Sequence, residues 1–362
     1  MVNTQLDITE KTIERAREAL KVALKCNQAK KGTINGVPGS MIGNPQPSGQ
    51  AIKAAEEAIF KGELAVCILA GGQGSRLGSS LPKECYDLGL PSEKRLFDLL
   101  VERVPSSVPV IVMVSEATEV DTRAYFADHN NFGRQVTFMT QESLPAFTAA
   151  EPHELIPTGD NSFFKAPAGN GSFFHAIHTI RNQLEKVKWM HVLPVDNVLG
   201  KPADPLMLAM AIENSSEAVS KAVERKNPKE SVGVFITDSS SQLQVIEYSE
   251  LCEHSCSDLP LLANIASHLF SMSLIGRVQE LPWHLARKKI PSISAGSKKI
   301  VDGLKLESFI FDALPQARNP ILQVVKRDHE FAPLKNGPDA QEENPMTCVQ
   351  ALKLNHPELF TS

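Results

Sequence analysis

The chain has 362 residues, 42% of them hydrophobic, and carries 37 Lys and Arg against 42 Asp and Glu, a net charge of −5. That size and apolar content suffice for one large domain with appendages, and the acidic balance argues against nucleic acid as a partner, since general nucleic-acid binders are basic. No apolar run approaches the ~20 residues of a membrane span, the polar start Met1-Val2-Asn3-Thr4-Gln5 is no signal peptide, and six scattered cysteines fit the reduced thiols of a cytoplasmic protein.

Residues 7 to 25 are expected to form an amphipathic helix, with Ile13, Ala16, Leu20, Ala23 and Leu24 favouring one side. A connector rich in Gly, Pro, Ser and Asn follows over residues 31–50, then a second helix over 51–61. Residues 64–70 are a continuous apolar run that reads as a buried, parallel-type strand. Similar strands are expected at 108–114, at 136–139 ending in Gln141, and at 190–195 ending in Asp196-Asn197. Strands alternating with helical stretches predict a doubly wound, mostly parallel α/β sheet. Ligands of such sheets bind beyond the carboxyl ends of the strands, so one cleft can collect residues 71–83, Gln141 and Asp196. After Val219 the pattern turns β-rich, at 231–236, 244–248 and 264–268, and from Gly337 the chain is polar with a short helix over 347–354. The expected organisation is an N-terminal helical segment and connector over 1–50, a catalytic domain over 51–336 and a short tail over 337–362.

The stretch Leu69-Ala70-Gly71-Gly72-Gln73-Gly74-Ser75-Arg76-Leu77-Gly78, closed by Pro82-Lys83, carries the most chemistry. Three glycines in four positions let the backbone turn sharply and present bare N–H groups to an anion. Arg76 and Lys83 add two positive charges, as a bound polyphosphate requires. No glycine here is followed by the lysine of a Walker loop, and Leu77 occupies the third glycine position of the dinucleotide fingerprint. The loop therefore reads as a nucleoside triphosphate site. Asp196, at the end of a strand, reads either as a metal-binding carboxylate or as a helix N-cap. Cys252-Glu253-His254-Ser255-Cys256 gathers soft ligands without a second pair at zinc spacing, and reads as a loop with incidental thiols.

Together with Tyr86-Asp87-Leu88-Gly89-Leu90-Pro91-Ser92, Ala166-Pro167-Ala168-Gly169-Asn170-Gly171, Val195-Asp196-Asn197, Val245-Ile246-Glu247-Tyr248-Ser249-Glu250 and Phe331-Ala332-Pro333-Leu334-Lys335-Asn336, this loop resembles the eukaryotic-type UDP-N-acetylhexosamine pyrophosphorylases, within the UDP-sugar pyrophosphorylase family. The motifs stand in the family's order from about Ala51 to Asn336. Arg76 with Gly169-Asn170-Gly171 inclines toward the N-acetylhexosamine branch. Ala263 and Ser267, where the family has glycine and asparagine, depart from the pattern and add a methyl group near the expected sugar pocket. So do Ala168, where aspartate is frequent, and Ser75, where threonine is usual.

The resemblance implies a Rossmann-like nucleotidyltransferase (type A) sheet with a β-rich sugar-binding part. It implies UTP and N-acetylglucosamine 1-phosphate as substrates, UDP-N-acetylglucosamine and pyrophosphate as products, and Mg²⁺ or Mn²⁺ as cofactor, bound at Asp196. A UDP-glucose or broad UDP-sugar pyrophosphorylase is the alternative, and a non-catalytic UDP-sugar-binding protein the lesser one. By the same resemblance Leu69, Ala70, Gly71 and Gly72 hold the uracil and ribose side, and Gln141 and Gly169 read the uracil edges. Arg76, Lys83 and Lys305 hold phosphate charge, Lys335 does so from the sugar-phosphate side, and Asn170, Glu247, Tyr248 and Asn264 contact the sugar. Without the resemblance, Lys305 and Lys335 would read as solvated surface lysines and His268 as a core histidine.

Overall fold

A computed structural model describes residues 9–29, 35–72, 74–78, 82–159, 162–248, 250, 261–294 and 296–360. The chain forms two compact units: one comprises Gly32–Thr140, Ile177–Gln279 and Ala313–Ser362, the other Met1–Lys31, Gln141–Ala176 and Glu280–Asp312.

The first unit is built on one sheet of nine strands among the described residues: β1 (Leu64–Leu69), β2 (Val110–Val114), β3 (Val136–Thr140), β4 (Trp189–Pro194), β5 (Ala218–Glu224), β6 (Val234–Thr237), β7 (Leu243–Ile246), β8 (Leu262–Ser271) and β9 (Ile321–Val324). Their order is β7-β6-β8-β4-β1-β2-β3, with β5 paired to β8 and β9 paired to β5. β4, β1, β2 and β3 are mutually parallel, with Val66 opposite Val110 on one side and His191 on the other. The apolar runs of β1 and β2 are explained by burial on both faces, since β2 is buried at every residue, whereas β3 at the sheet's edge is mostly half-buried. Because these four strands run the same way, the loops after Leu69 and Pro194 emerge at one edge of the sheet. β8 runs antiparallel to β4, with His268 opposite Val192 and Ser271 opposite Trp189, so its amino end and Asn264 come to that same edge.

Two helices of this unit, Gly49–Phe60 and Pro205–Glu213, place Ala51, Ala55, Met207 and Leu208 in the core that also holds Leu64, Val66 and Ile68. Each begins at a side-chain cap, Ser48 accepting from the Ala51 N–H and Asp204 from the Leu206 N–H. The tail helix starts two residues before its expected position, at Pro345, because Asn344 and Thr347 form a reciprocal capping box and proline suits the first helical turn. The strand expected from Ser231 begins only at Val234.

In the other unit the helix Glu10–Ala29 lays Ala16, Leu20 and Ala23 against Leu144, Phe147, Leu304 and Leu306, which is the stripe the sequence predicts. Residues 7 and 8 of the expected helix lie outside the described residues. A long antiparallel hairpin, His284–Ser294 with Ser297–Glu307, forms the middle of its sheet. Among the described residues no helix is long and apolar enough to cross a membrane.

Candidate active site

The glycine loop is fastened at its base, where Ala70 donates its N–H to the Met113 carbonyl (2.8 Å) and accepts from the Thr118 hydroxyl (2.9 Å). Gly74 is left-handed, with φ +62°, and a Cβ there would lie 2.9 Å from Cβ of Lys83. Glycine at this position thus serves two needs at once, the turn and the close approach to the lysine. A short 3₁₀ turn, Ser75–Leu77, follows and buries Leu77. Arg76 is exposed and takes part in no ion pair among the described residues.

Lys83 opens a second 3₁₀ turn, Lys83–Cys85, and its Nζ lies 2.7 Å from Oδ2 of Asp196 just beyond β4. The turn is anchored by the fully buried Glu84, whose Oε1 accepts from the Thr122 hydroxyl at 3.0 Å. Burial pushes the Glu84 carboxyl up to about 8. Asp196 does not cap the following helix, a task done by Asp204.

The Asp196 carbonyl accepts the N–H of Leu334 (2.9 Å). The neighbouring Asn197 is buried, accepts from the Ala332 N–H through Oδ1 (2.9 Å), and donates from Nδ2 to the Glu330 carbonyl (2.7 Å). These bonds lay residues 330–334 on the end of β4 and present Lys335 beside them. Lys335 Nζ lies 3.1 Å from Oε1 of Glu343. Gly337 runs against the glycine loop, where a Cβ would lie 3.1 Å from the Arg76 carbonyl oxygen. One end of one sheet therefore brings together the glycine loop, Lys83, Asp196 and Lys335.

Gly233 joins two of the expected sugar contacts. Its carbonyl accepts the Asn264 N–H at 2.8 Å, and a Cβ on it would lie 3.1 Å from Oε1 of Glu247. Asn264 Oδ1 in turn accepts the N–H of Ala266, which is held left-handed at φ +58°. Tyr248, two residues beyond β7, is half exposed. The methyl group of Ala263 is fully buried among Val223, Val232 and Ile265. Ser267 is buried as well, with its hydroxyl 2.8 Å from Nε2 of His191. Both departures from the family pattern thus point into packing.

The remaining expected residues belong to the other unit, where a chain of backbone bonds gathers them. The carbonyl of Glu142, next to the buried Gln141, accepts the Ala168 N–H, and the Ala168 carbonyl accepts the Ser308 N–H, both at 2.8 Å. The Ser308 carbonyl accepts the Gly171 N–H (2.9 Å), and Asn170 Oδ1 accepts the Ile310 N–H (2.9 Å). Gly169 is left-handed at φ +87°, and a Cβ there would collide with the Ser308 carbonyl. Lys305, three residues before Ser308, holds its Nζ over the Phe164 ring at 5.8 Å. Nothing in the residue type of Ser308 marks it in the sequence.

The sequence reading also missed a buried ion cluster. Lys221, 1% exposed, lies 2.6 Å from Oδ2 of Asp204 and 2.7 Å from Oε2 of Glu330, which anchors the segment leading to Lys335. The signal was a lysine in the middle of β5, among Val219, Ala222 and Val223. His268 is a fully buried core histidine: its Nδ1 lies 2.7 Å from the Ser220 hydroxyl, its Nε2 has no hydrogen-bond partner among the described residues, and burial pushes its pKa down to about 3.

No cluster of three or more His, Cys, Asp or Glu side chains suited to a metal exists among the described residues. Residues 252–256 lie outside them. Asp196 uses only Oδ2 toward Lys83, which suits a hard cation shared between one carboxylate and substrate phosphates.

The sheet, its glycine loop and the lysine–aspartate pair beyond it define an α/β nucleotidyltransferase. The chain belongs to the family described as UTP–glucose-1-phosphate uridylyltransferase, which it matches over residues 18–352. It is 38% identical to the UDP-N-acetylglucosamine pyrophosphorylase of Saccharomyces cerevisiae, over 95% of this chain and 80% of that one. It is 35% identical to UDP-N-acetylglucosamine diphosphorylase 2 of Arabidopsis thaliana, over 81% of this chain and 65% of that one. The solved uridine diphosphate N-acetylglucosamine pyrophosphorylase of Trypanosoma brucei superposes with a TM-score of 0.79 at 27% identity, covering 95% of this chain and 76% of that one. UDP-glucose pyrophosphorylase of Leishmania major shares the fold, with a TM-score of 0.70 at 16% identity, 97% of this chain and 79% of that one being covered.

Proposed function

We propose that this chain is a uridylyltransferase that makes UDP-N-acetylglucosamine and pyrophosphate from UTP and N-acetylglucosamine 1-phosphate. The observation that carries the reading is the Lys83–Asp196 pair, closed on the glycine loop at a sheet edge that also presents Lys335. The similarity to the yeast enzyme supports the choice of sugar.

The attacking group is already a phosphate oxyanion, so the site needs no general base and no covalent intermediate. Its task is to bring two polyanions into line and offset their charge. Lys83 is paired with Asp196 through one hydrogen bond, and an ammonium has three donors. It can therefore keep the aspartate while donating to a UTP phosphate. Arg76 supplies a planar, permanently charged donor from the turn that follows the glycines. Lys335 approaches from the segment laid on Asp196 and is assigned to the sugar phosphate. Gln141 and Gly169 are assigned to the uracil edges, Lys305 to phosphate, and Asn170, Glu247, Tyr248 and Asn264 to the sugar. Asp196 would hold Mg²⁺ or Mn²⁺, which would supply Lewis-acid neutralisation of phosphate charge when bound. The placement assigned with this reading is cytoplasmic, as expected from the scattered cysteines.

Pyrophosphate release with UTP and a panel of sugar 1-phosphates tests the reading. N-acetylglucosamine 1-phosphate should be the best acceptor and UTP should outperform ATP. Glucose 1-phosphate turning over tenfold better, about 1.4 kcal/mol in transition-state binding, would overturn the sugar assignment. Equal use of ATP would remove Gln141 from base recognition.

A further inference from the structure

We infer that Phe331 is a positioning residue for Lys335, its ring face fixing where the ammonium stands before a phosphate arrives. The inference rests on the reading that Lys335 receives the phosphate of the sugar substrate. Lys335 Nζ lies 5.8 Å from the centroid of the Phe331 ring and 3.1 Å from Oε1 of Glu343. Within about 6 Å a ring face attracts a cation through its quadrupole.

The ring is itself held. It packs against the cluster of Val223, Val232, Ala263 and Ile265, and the guanidinium carbon of Arg327 lies 5.2 Å from its centroid. Arg327 is tied to both carboxylate oxygens of Glu230, at 2.8 and 3.0 Å. The backbone between ring and lysine is fixed too, by the Ala332 N–H on Asn197 and the Leu334 N–H on Asp196. Beyond it, the N–H groups of Lys335 and Asn336 both donate to the carbonyl of Glu343 (2.8 and 2.9 Å). Glu343 is left-handed there, at φ +54°, a conformation that persists when its surroundings over-determine it.

The two supports of the ammonium differ in kind. A carboxylate offsets its charge, whereas a ring attracts it and leaves the whole charge for an incoming phosphate. The Lys335–Glu343 pair is partly exposed, and such pairs are weak enough to yield to a polyanion. The ring then keeps the freed ammonium on the segment that Asp196 and Asn197 hold.

A double-mutant cycle with kcat and KM measured for each substrate tests this. F331L, and F331M in case the first variant folds poorly, should raise KM for N-acetylglucosamine 1-phosphate about three- to fivefold, with KM for UTP unchanged. F331Y keeps the π face and should restore the wild-type value. In a K335A background F331L should have no further effect on KM. Additive effects of F331L and K335A, or wild-type kinetics in both F331L and F331M, would overturn the inference alone. Wild-type kinetics in K335A would overturn the role of Lys335 and the inference with it.

Discussion

The ammonium of Lys83 stands 2.7 Å from Oδ2 of Asp196, although 113 positions separate them in the chain. The contact joins the loop after β1 to the loop after β4, two parallel neighbours in the sheet. The glycine loop is also pressed onto this lysine, so charge pairing and loop shape depend on each other.

Asp196→Asn keeps size and an acceptor oxygen for Lys83 but removes the carboxylate charge. Turnover should fall by ~10²-fold or more, with modest change in UTP affinity, as for loss of a transition-state charge interaction. Steady-state kinetics with direct UTP binding checks this, and wild-type turnover would move the metal role elsewhere.

Arg76→Ala and Lys83→Ala each remove a cation from the expected triphosphate site. Charge-assisted hydrogen bonds contribute ~1.5–3 kcal/mol, so each variant should lose roughly ten- to a hundredfold in kcat/KM. Full activity in both folded variants would show that the loop is not the phosphate site.

Gly74→Ala places a Cβ 2.9 Å from Cβ of Lys83 and forces alanine to φ +62°. It should destabilise the fold by about 1–3 kcal/mol. Gly72→Ala, with nothing within 4 Å of the added atom, is the control and should melt like the wild type. Equal urea midpoints for the two variants would contradict the packing argument.

Glu84 predicts a pH dependence. Burial raises its carboxyl from 4.5 to about 8, so between those values the folded state keeps a proton that the unfolded chain has lost. Its contribution to stability is complete below pH 4.5 and is lost as pH rises through 8. The wild type should therefore lose more stability than Glu84→Gln between mildly acidic and mildly alkaline buffer. Parallel stability profiles of the two proteins would rule this out.

The parts of the fold legible in the sequence are those whose signal is local. β1 and β2 announce themselves because burial on both faces demands unbroken apolar runs. The residues at the ends of β1 and β4 could be read from strand polarity alone. Ser308 could not, because its backbone N–H and carbonyl, which every residue type carries, join Ala168 to Gly171. The Lys221–Glu330 pair escaped for another reason: 109 positions separate its members, and only the folded sheet makes them neighbours. That the Ala263 methyl is buried could not be read either, because sequence adjacency to Asn264 says nothing of which face of a strand a side chain occupies.

The helix Glu10–Ala29 finds its apolar partners at both ends of a long interval: Leu144 and Phe147, then Leu304 and Leu306. A ribosome adding roughly 5–20 residues per second makes that helix on the order of tens of seconds before Leu306 emerges. Over that time the stripe of Ala16, Leu20 and Ala23 has no complete surface to cover it, whereas β1, β2 and β3 can pair as soon as residue 140 is made. During that interval the nascent chain therefore carries an apolar helical face whose partners on the hairpin have not yet been made.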